Sequence, residues 1–136
     1  MYQCQHFSLH ELLPRVVYQQ RGEKGWALLD ERLLVTLDRL RKRYGSITVN
    51  NWLWGGEREW SGLRTPDSPF YSRYSQHSFG RAADCLFGAV TVDEVREDIL
   101  TRLDEPVYQY IQSVEMGVSW LHFDVRNGCR VETYWP

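Results

Sequence analysis

Between Arg81 and Phe87 the chain carries a short apolar run, Ala82-Ala83-Asp84-Cys85-Leu86-Phe87, with one carboxylate inside it. Such a run reads as a buried strand. An ionised Asp in that setting is costly unless something cationic meets it. Any fold open to this chain must therefore bring a positive partner to Asp84, either an Arg such as Arg81 or a metal ion.

The flanking residues favour a metal. Ser75-Gln76-His77-Ser78-Phe79-Gly80-Arg81-Ala82-Ala83-Asp84 places an imidazole seven residues before the carboxylate, and Trp120-Leu121-His122-Phe123-Asp124 supplies a second imidazole and a second carboxylate. Zinc takes neutral His nitrogen and carboxylate oxygen, and a catalytic site uses three protein ligands with the fourth position open. His77, Asp84 and His122 fill those three places. Residues two apart on a strand share a face, so His122 and Asp124 look the same way, with Trp120 beside them. Gly80 lacks the Cβ that would restrict the turn from His77 back to the strand. His6 and His10 stand outside this pattern and read as hydrogen-bonded structural residues.

The pattern S-x-H-x-x-G-x-A-x-D, matched at Ser75, His77, Gly80, Ala82 and Asp84, resembles the signature of the zinc D-Ala-D-Ala carboxypeptidases and murein endopeptidases, whose fold also occurs in the hedgehog signalling domain. His122-x-Asp124 followed by Val125-Arg126 resembles the MepK-like branch of endopeptidases. The likeness runs from about Phe7 to Val125. It implies a zinc-dependent peptidase acting on amide bonds of peptidoglycan stem peptides or their cross-links.

Such an enzyme needs a base for water and an electrophile for the developing oxyanion. Several branches of the family carry the base three positions before the last His; here that position is Ser119. Asp124 is the first substitute, because it shares a face with His122. Its alternative role is to orient a ligand imidazole through the other ring nitrogen. Glu115, Glu57 and Glu59 are further candidates. Ser61-Gly62-Leu63-Arg64 resembles the family's Ser-Gly-Tyr-Arg element, with Leu63 in place of the aromatic residue. The resemblance implies that Arg64 faces the cleft, where a guanidinium binds a carboxylate or steadies a tetrahedral intermediate; the alternative is an exposed, solvated Arg.

The 136 residues suffice for one domain, 1–136, with a core of its own, and 43% of them are hydrophobic. A formal charge of −2 supplies no basic field for nucleic acid. Three cysteines, Cys4, Cys85 and Cys129, without a C-x-x-C spacing, indicate no disulfide framework and fit synthesis in a reducing cytosol. Met1 to Leu9 has no signal-peptide pattern, and no run reaches membrane-spanning length. Because peptidoglycan lies outside the cytoplasmic membrane, the expected setting is a bacteriophage, with the protein carried by the virion or released as an endolysin.

Ser8 to Glu11 forms a capping box ahead of a short helix that Pro14 ends. Leu29, Leu33, Leu37, Leu40 and Tyr44 recur at helical spacing from Trp26 to Gly45, predicting one long amphipathic helix, followed by a strand over 47–50. Thr91 and Glu94 cap a third helix whose stripe is Val92, Val95, Ile99 and Leu103. Residues 107–112 read as a further helical turn. Segments 118–125 and 130–134 flank Asn127-Gly128, the signal for a tight hairpin. The predicted class is α+β: a small antiparallel sheet packed with helices, of the hedgehog/DD-peptidase type.

Residues 52–74 contain Trp52, Trp54, Trp60, Phe70, Tyr71 and Tyr74 among glycines and prolines. These rings suit a wall for sugar or peptide, a mini-core within the loop, or a docking surface for other virion proteins, and their number favours packing. Two functions remain in view: a zinc peptidase, and a virion structural component that retains the fold without turnover.

Overall fold

The computed structural model describes residues 1–129 and 131–136. Three α-helices, α1 (Arg15–Arg21), α2 (Glu31–Tyr44) and α3 (Val92–Thr101), accompany five strands: β1 (Ile47–Thr48), β2 (Ala82–Phe87), β3 (Ser113–Glu115), β4 (Leu121–Asp124) and β5 (Glu132–Tyr134). The strands form one sheet in the order β1-β2-β4-β3-β5. The α+β class holds.

Alternation along the central strands separates two faces. Ala83, Cys85, Val114, Leu121 and Phe123 point to one side, where they join Leu33, Leu34, Leu37 and Leu40 of α2 and Val95 and Ile99 of α3 in the core. Asp84, His122 and Asp124 occupy the other side of the same strands. Across β2 and β4 the antiparallel register sets Asp84 opposite His122 and Ala82 opposite Asp124.

Several elements depart from expectation. The sheet is not wholly antiparallel, because β5 pairs in parallel with β3. No 118–125/130–134 hairpin forms among the described residues, and Arg130, the expected start of its second arm, lies outside them. The chain does reverse after β4, but β4 already has β2 on one edge and β3 on the other. Its hydrogen-bonding groups are taken, so the returning segment joins the free edge of β3. Strand β3 itself, only three residues long, was not foreseen.

The long helix expected from Trp26 is broken. Residues Gly22–Leu28 form a 3₁₀ segment, Leu29 is extended, and α2 starts after Asp30, whose carboxylate accepts the Arg32 amide at 2.9 Å. An Asp side chain at this point offers the backbone an N-cap in place of a continuing helix. Pro14 likewise stands at the start of α1 rather than simply ending the turn at 9–11. The first strand covers only Ile47–Thr48, and the turn expected at 107–112 is the 3₁₀ turn Pro106–Tyr108. Helix α3 has the foreseen Thr91–Glu94 box, with Glu94 N–H donating to Thr91 Oγ1 at 3.1 Å and Thr91 N–H to Glu94 Oε2 at 2.8 Å. It ends before Leu103, which is exposed.

Candidate metal centre and cleft

Each residue of the expected trio is placed by a different device. Asp84 and His122 stand on neighbouring strands in direct register. His77 lies in the 3₁₀ turn Gln76–Phe79, where Ser75 Oγ accepts its amide and Gly80 closes the turn at φ 67. A Cβ on Gly80 would come within 2.1 Å of the Leu28 carbonyl oxygen, so both the backbone conformation and the close approach require glycine. The segment 61–64 passes alongside: Leu63 N–H donates to Leu12 O at 3.0 Å, Arg64 N–H to His77 O at 3.1 Å, and Asp84 N–H to Ser61 O at 2.8 Å. A Cβ on Gly62 would meet that same Leu12 oxygen at 2.2 Å.

The three side chains converge. His77 Nε2 is 3.2 Å from Asp84 Oδ1 and 3.2 Å from His122 Nδ1, and His122 Nδ1 is 2.8 Å from the same Asp84 oxygen. All three residues are buried. Ligand atoms around a tetrahedral zinc with bonds of about 2.0–2.2 Å lie roughly 3.3–3.6 Å apart, so outward shifts of a few tenths of an ångström would seat the ion.

The other ring nitrogens decide which lone pairs are bare. His77 Nδ1 lies 2.8 Å from the Gly62 carbonyl, which can only accept, so Nδ1 carries the hydrogen. His122 Nε2 lies 3.2 Å from Asp124 Oδ2, again an acceptor. With the His122 hydrogen on Nε2, facing Asp124, both imidazoles turn lone pairs toward Asp84. In that state two lone pairs and a carboxylate around one point suit a cation, and the donor set is one zinc favours.

Without a metal, the same surroundings favour a proton in that place. Burial alone would lower the His122 pKa, but hydrogen bonds to Asp124 and Asp84 more than offset it and lift the value to about 9. Burial opposes ionisation of Asp84 as well, yet hydrogen bonds from His122 and His77 hold its carboxyl well below the usual range.

Asp84 meets Arg64, not Arg81: Arg64 Nη2 donates to Asp84 Oδ2 at 2.9 Å, whereas Arg81 lies 3.5 Å from Asp30. Arg64 Nε donates to Trp60 O at 2.7 Å and the guanidinium lies over Phe70. Among the described residues Nη1 makes no hydrogen bond. Burial lowers the Arg64 pKa, with Asp84 acting against the shift.

Asp124 sits behind His122, on the ring nitrogen turned away from the trio. It is wholly buried, and its carboxylate takes two side-chain hydrogen bonds from Arg126, both at 2.7 Å. Those bonds, with that from His122, outweigh burial and depress its pKa. This placement fits the orienting role and leaves the proton acceptor to other carboxylates.

The trio forms part of the wall of an open cleft of about 580 Å³, lined also by Glu57, Glu59, Trp60, Arg64, Phe70, Glu115, Trp120 and Tyr134. A smaller cavity of about 300 Å³ adjoins it at Ser75, His122 and Tyr134. Tyr134, which sequence reasoning missed, packs edge-on against His122 with ring centroids 5.8 Å apart. Its only local signal was an aromatic residue near the C-terminus. The aromatic loop divides. Trp52 is buried against His10 and Tyr18 and donates to Leu13 O at 2.9 Å, while Trp54, Phe70 and Tyr74 are exposed. The expected mini-core is thus confined to Trp52, and Trp60 and Phe70 line the cleft. Ser119 is exposed.

No protein-family model, curated protein or solved structure matches the chain. Among the described residues no helix is long and apolar enough to cross a membrane.

Proposed function

We propose that this protein is a zinc-dependent peptidase that hydrolyses amide bonds in peptidoglycan stem peptides or their cross-links. The observation that carries the proposal is the meeting of two imidazole nitrogens and one carboxylate oxygen at the wall of an open cleft. Bound there, zinc would supply Lewis acidity, polarising a substrate carbonyl and easing deprotonation of water.

The remaining work belongs to the chain. Gly62 O and Asp124 hold the two imidazoles in the required tautomers. Arg64, anchored by Trp60 O and Asp84, presents its remaining N–H groups to a carboxylate or a developing oxyanion. Trp60, Phe70 and Trp120 wall the cleft and offer rings on which a substrate would pack. The restriction to peptidoglycan peptides rests on the S-x-H-x-x-G-x-A-x-D resemblance.

A second reading, a phage virion component that keeps the fold without turnover, draws on the exposed rings of Trp54, Phe70 and Tyr74, which suit a protein contact. One experiment separates the two. Purified protein is assayed for zinc and incubated with cross-linked muropeptides. The peptidase reading expects one zinc per chain and release of monomeric muropeptides, both abolished in His122→Ala. Zinc without cleavage supports the virion reading, and a protein that takes up no divalent metal removes the basis of the peptidase.

A further inference from the structure

We infer that Glu115 on β3 is the general base of this site, taking the proton from the attacking water and delivering it to the leaving amine. The inference rests on the peptidase reading and names the group that reading leaves open.

Register points to Glu115 first. Ser113 pairs with Asp124 and Val114 with Phe123, so continuing the ladder by one residue sets Glu115 opposite His122, which itself stands opposite Asp84. On the far side Glu115 pairs with Tyr134. Asp84, His122, Glu115 and Tyr134 thus form one row across four strands, on the face opposite the core. Side chains in such a row on adjacent strands lie about 5 Å apart at Cβ, within reach of a water beside the His122 ring.

The other carboxylates are committed or misplaced. Asp124 lies behind the imidazole and is held by Arg126. Glu59 accepts the Arg15 amide at 2.9 Å. Glu57 is exposed on the loop. Glu115 lines the cleft with His77, Asp84 and His122, is half-buried, and has no hydrogen bond or ion pair from its side chain among the described residues. A strand paired on both sides holds its backbone in place, as a proton acceptor requires.

The step balances within the site. As water oxygen bonds to the scissile carbonyl carbon, its proton passes to the Glu115 carboxylate. As the C–N bond breaks, the same proton passes to the leaving nitrogen, giving a carboxylic acid and a neutral amine and restoring ionised Glu115; the new acid then releases its remaining proton to solvent.

The test uses zinc-loaded protein, cross-linked muropeptide as substrate, and a phosphinate analogue of D-alanyl-D-alanine as a tetrahedral mimic. Glu115→Gln is expected to keep one zinc per chain and an unchanged KM while kcat falls about 10²- to 10⁴-fold; Glu97→Gln, on the exposed face of α3 away from the cleft, stays within about threefold of the parent. Glu115→Ala is expected to bind the phosphinate at least roughly tenfold more weakly by calorimetry, having lost the hydrogen bond to the tetrahedral oxygen. Glu115→Gln turning over within fivefold of the parent, or Glu115→Ala binding the phosphinate as the parent does, overturns the assignment while the peptidase stands. An unsubstituted protein that binds zinc but cleaves nothing overturns both.

Discussion

The two faces of the β2–β4 pair are built one residue out of phase and have opposite chemistry. Ala83, Cys85, Leu121 and Phe123 contribute to a dry core, whereas Asp84, His122 and Asp124, interleaved with them, form a nearly continuous polar network. Each face makes the other possible. The apolar residues lock the register, because a slip of one would carry every carboxylate and imidazole into the core. That lock holds Asp84 opposite His122 to within hydrogen-bonding distance. The core face tolerates only packing changes; the polar face depends on which proton or ion sits among its members.

The comparison can be broken hardest on the dry side. Phe123→Ala removes a fully buried ring from the middle of β4 and is expected to destabilise the protein by about 3–5 kcal/mol. Chemical denaturation reads the loss, and the chains that remain folded should still take up zinc. A fold that lost zinc uptake before it lost stability would show that the two faces are not separable in this way.

On the polar side, Asp124→Asn keeps the shape but weakens the hold on His122. Zinc affinity is expected to fall about 10- to 100-fold, measured by competition with a chelator, and unchanged affinity would deny Asp124 its orienting role. The buried Arg126 partnership is also weakened, so a modest fall in stability accompanies the change.

Zinc uptake should itself displace a proton. Hydrogen bonds to Asp124 and Asp84 outweigh burial and lift the His122 pKa to about 9 in the metal-free protein, so binding at pH 7 is expected to release about one proton and progressively fewer above pH 9. Calorimetry in buffers of different ionisation enthalpy counts them. The sign for folding follows from the same shift. The contribution of protonated His122 to metal-free stability is complete below the ordinary His value of 6.5 and is lost as pH rises through about 9.

The smallest expected effect lies away from both faces, at the cap of α2. Asp30 is held below the ordinary carboxylate range chiefly by the Arg32 side chain, against burial. Its stabilisation is present above the unfolded value of 3.8 and disappears as pH falls through the depressed folded value. Asp30→Asn should cost about 1 kcal/mol or less at pH 7 and flatten the acid limb of a stability profile. An unaltered acid limb would mean that the Asp30–Arg32 pair contributes nothing measurable.

Much of this molecule was legible because its signals are local. The spacing of His77 and Asp84, the alternation of His122 and Asp124, the Thr91–Glu94 box and the apolar period of α2 each act over a few residues. Where two local signals competed, the reading went astray. The stripe from Leu29 to Tyr44 concealed the Asp30 cap, and Asn127-Gly128 forecast a reversal without saying which strand would receive it.

Partnership across the sheet was settled only by packing. Beta-strand β4 had no edge left once β2 and β3 flanked it, so β5 took the outer edge of β3 and carried Tyr134 into line with Glu115. The same assembly put Asp124 behind His122 and gave Asp84 to Arg64 rather than to nearby Arg81. Residue identity and short-range spacing specify which groups are able to act as ligands or caps. Which of them meet, and which ring nitrogen keeps its proton, depends on long-range contacts among strands competing for a limited number of hydrogen-bonding edges.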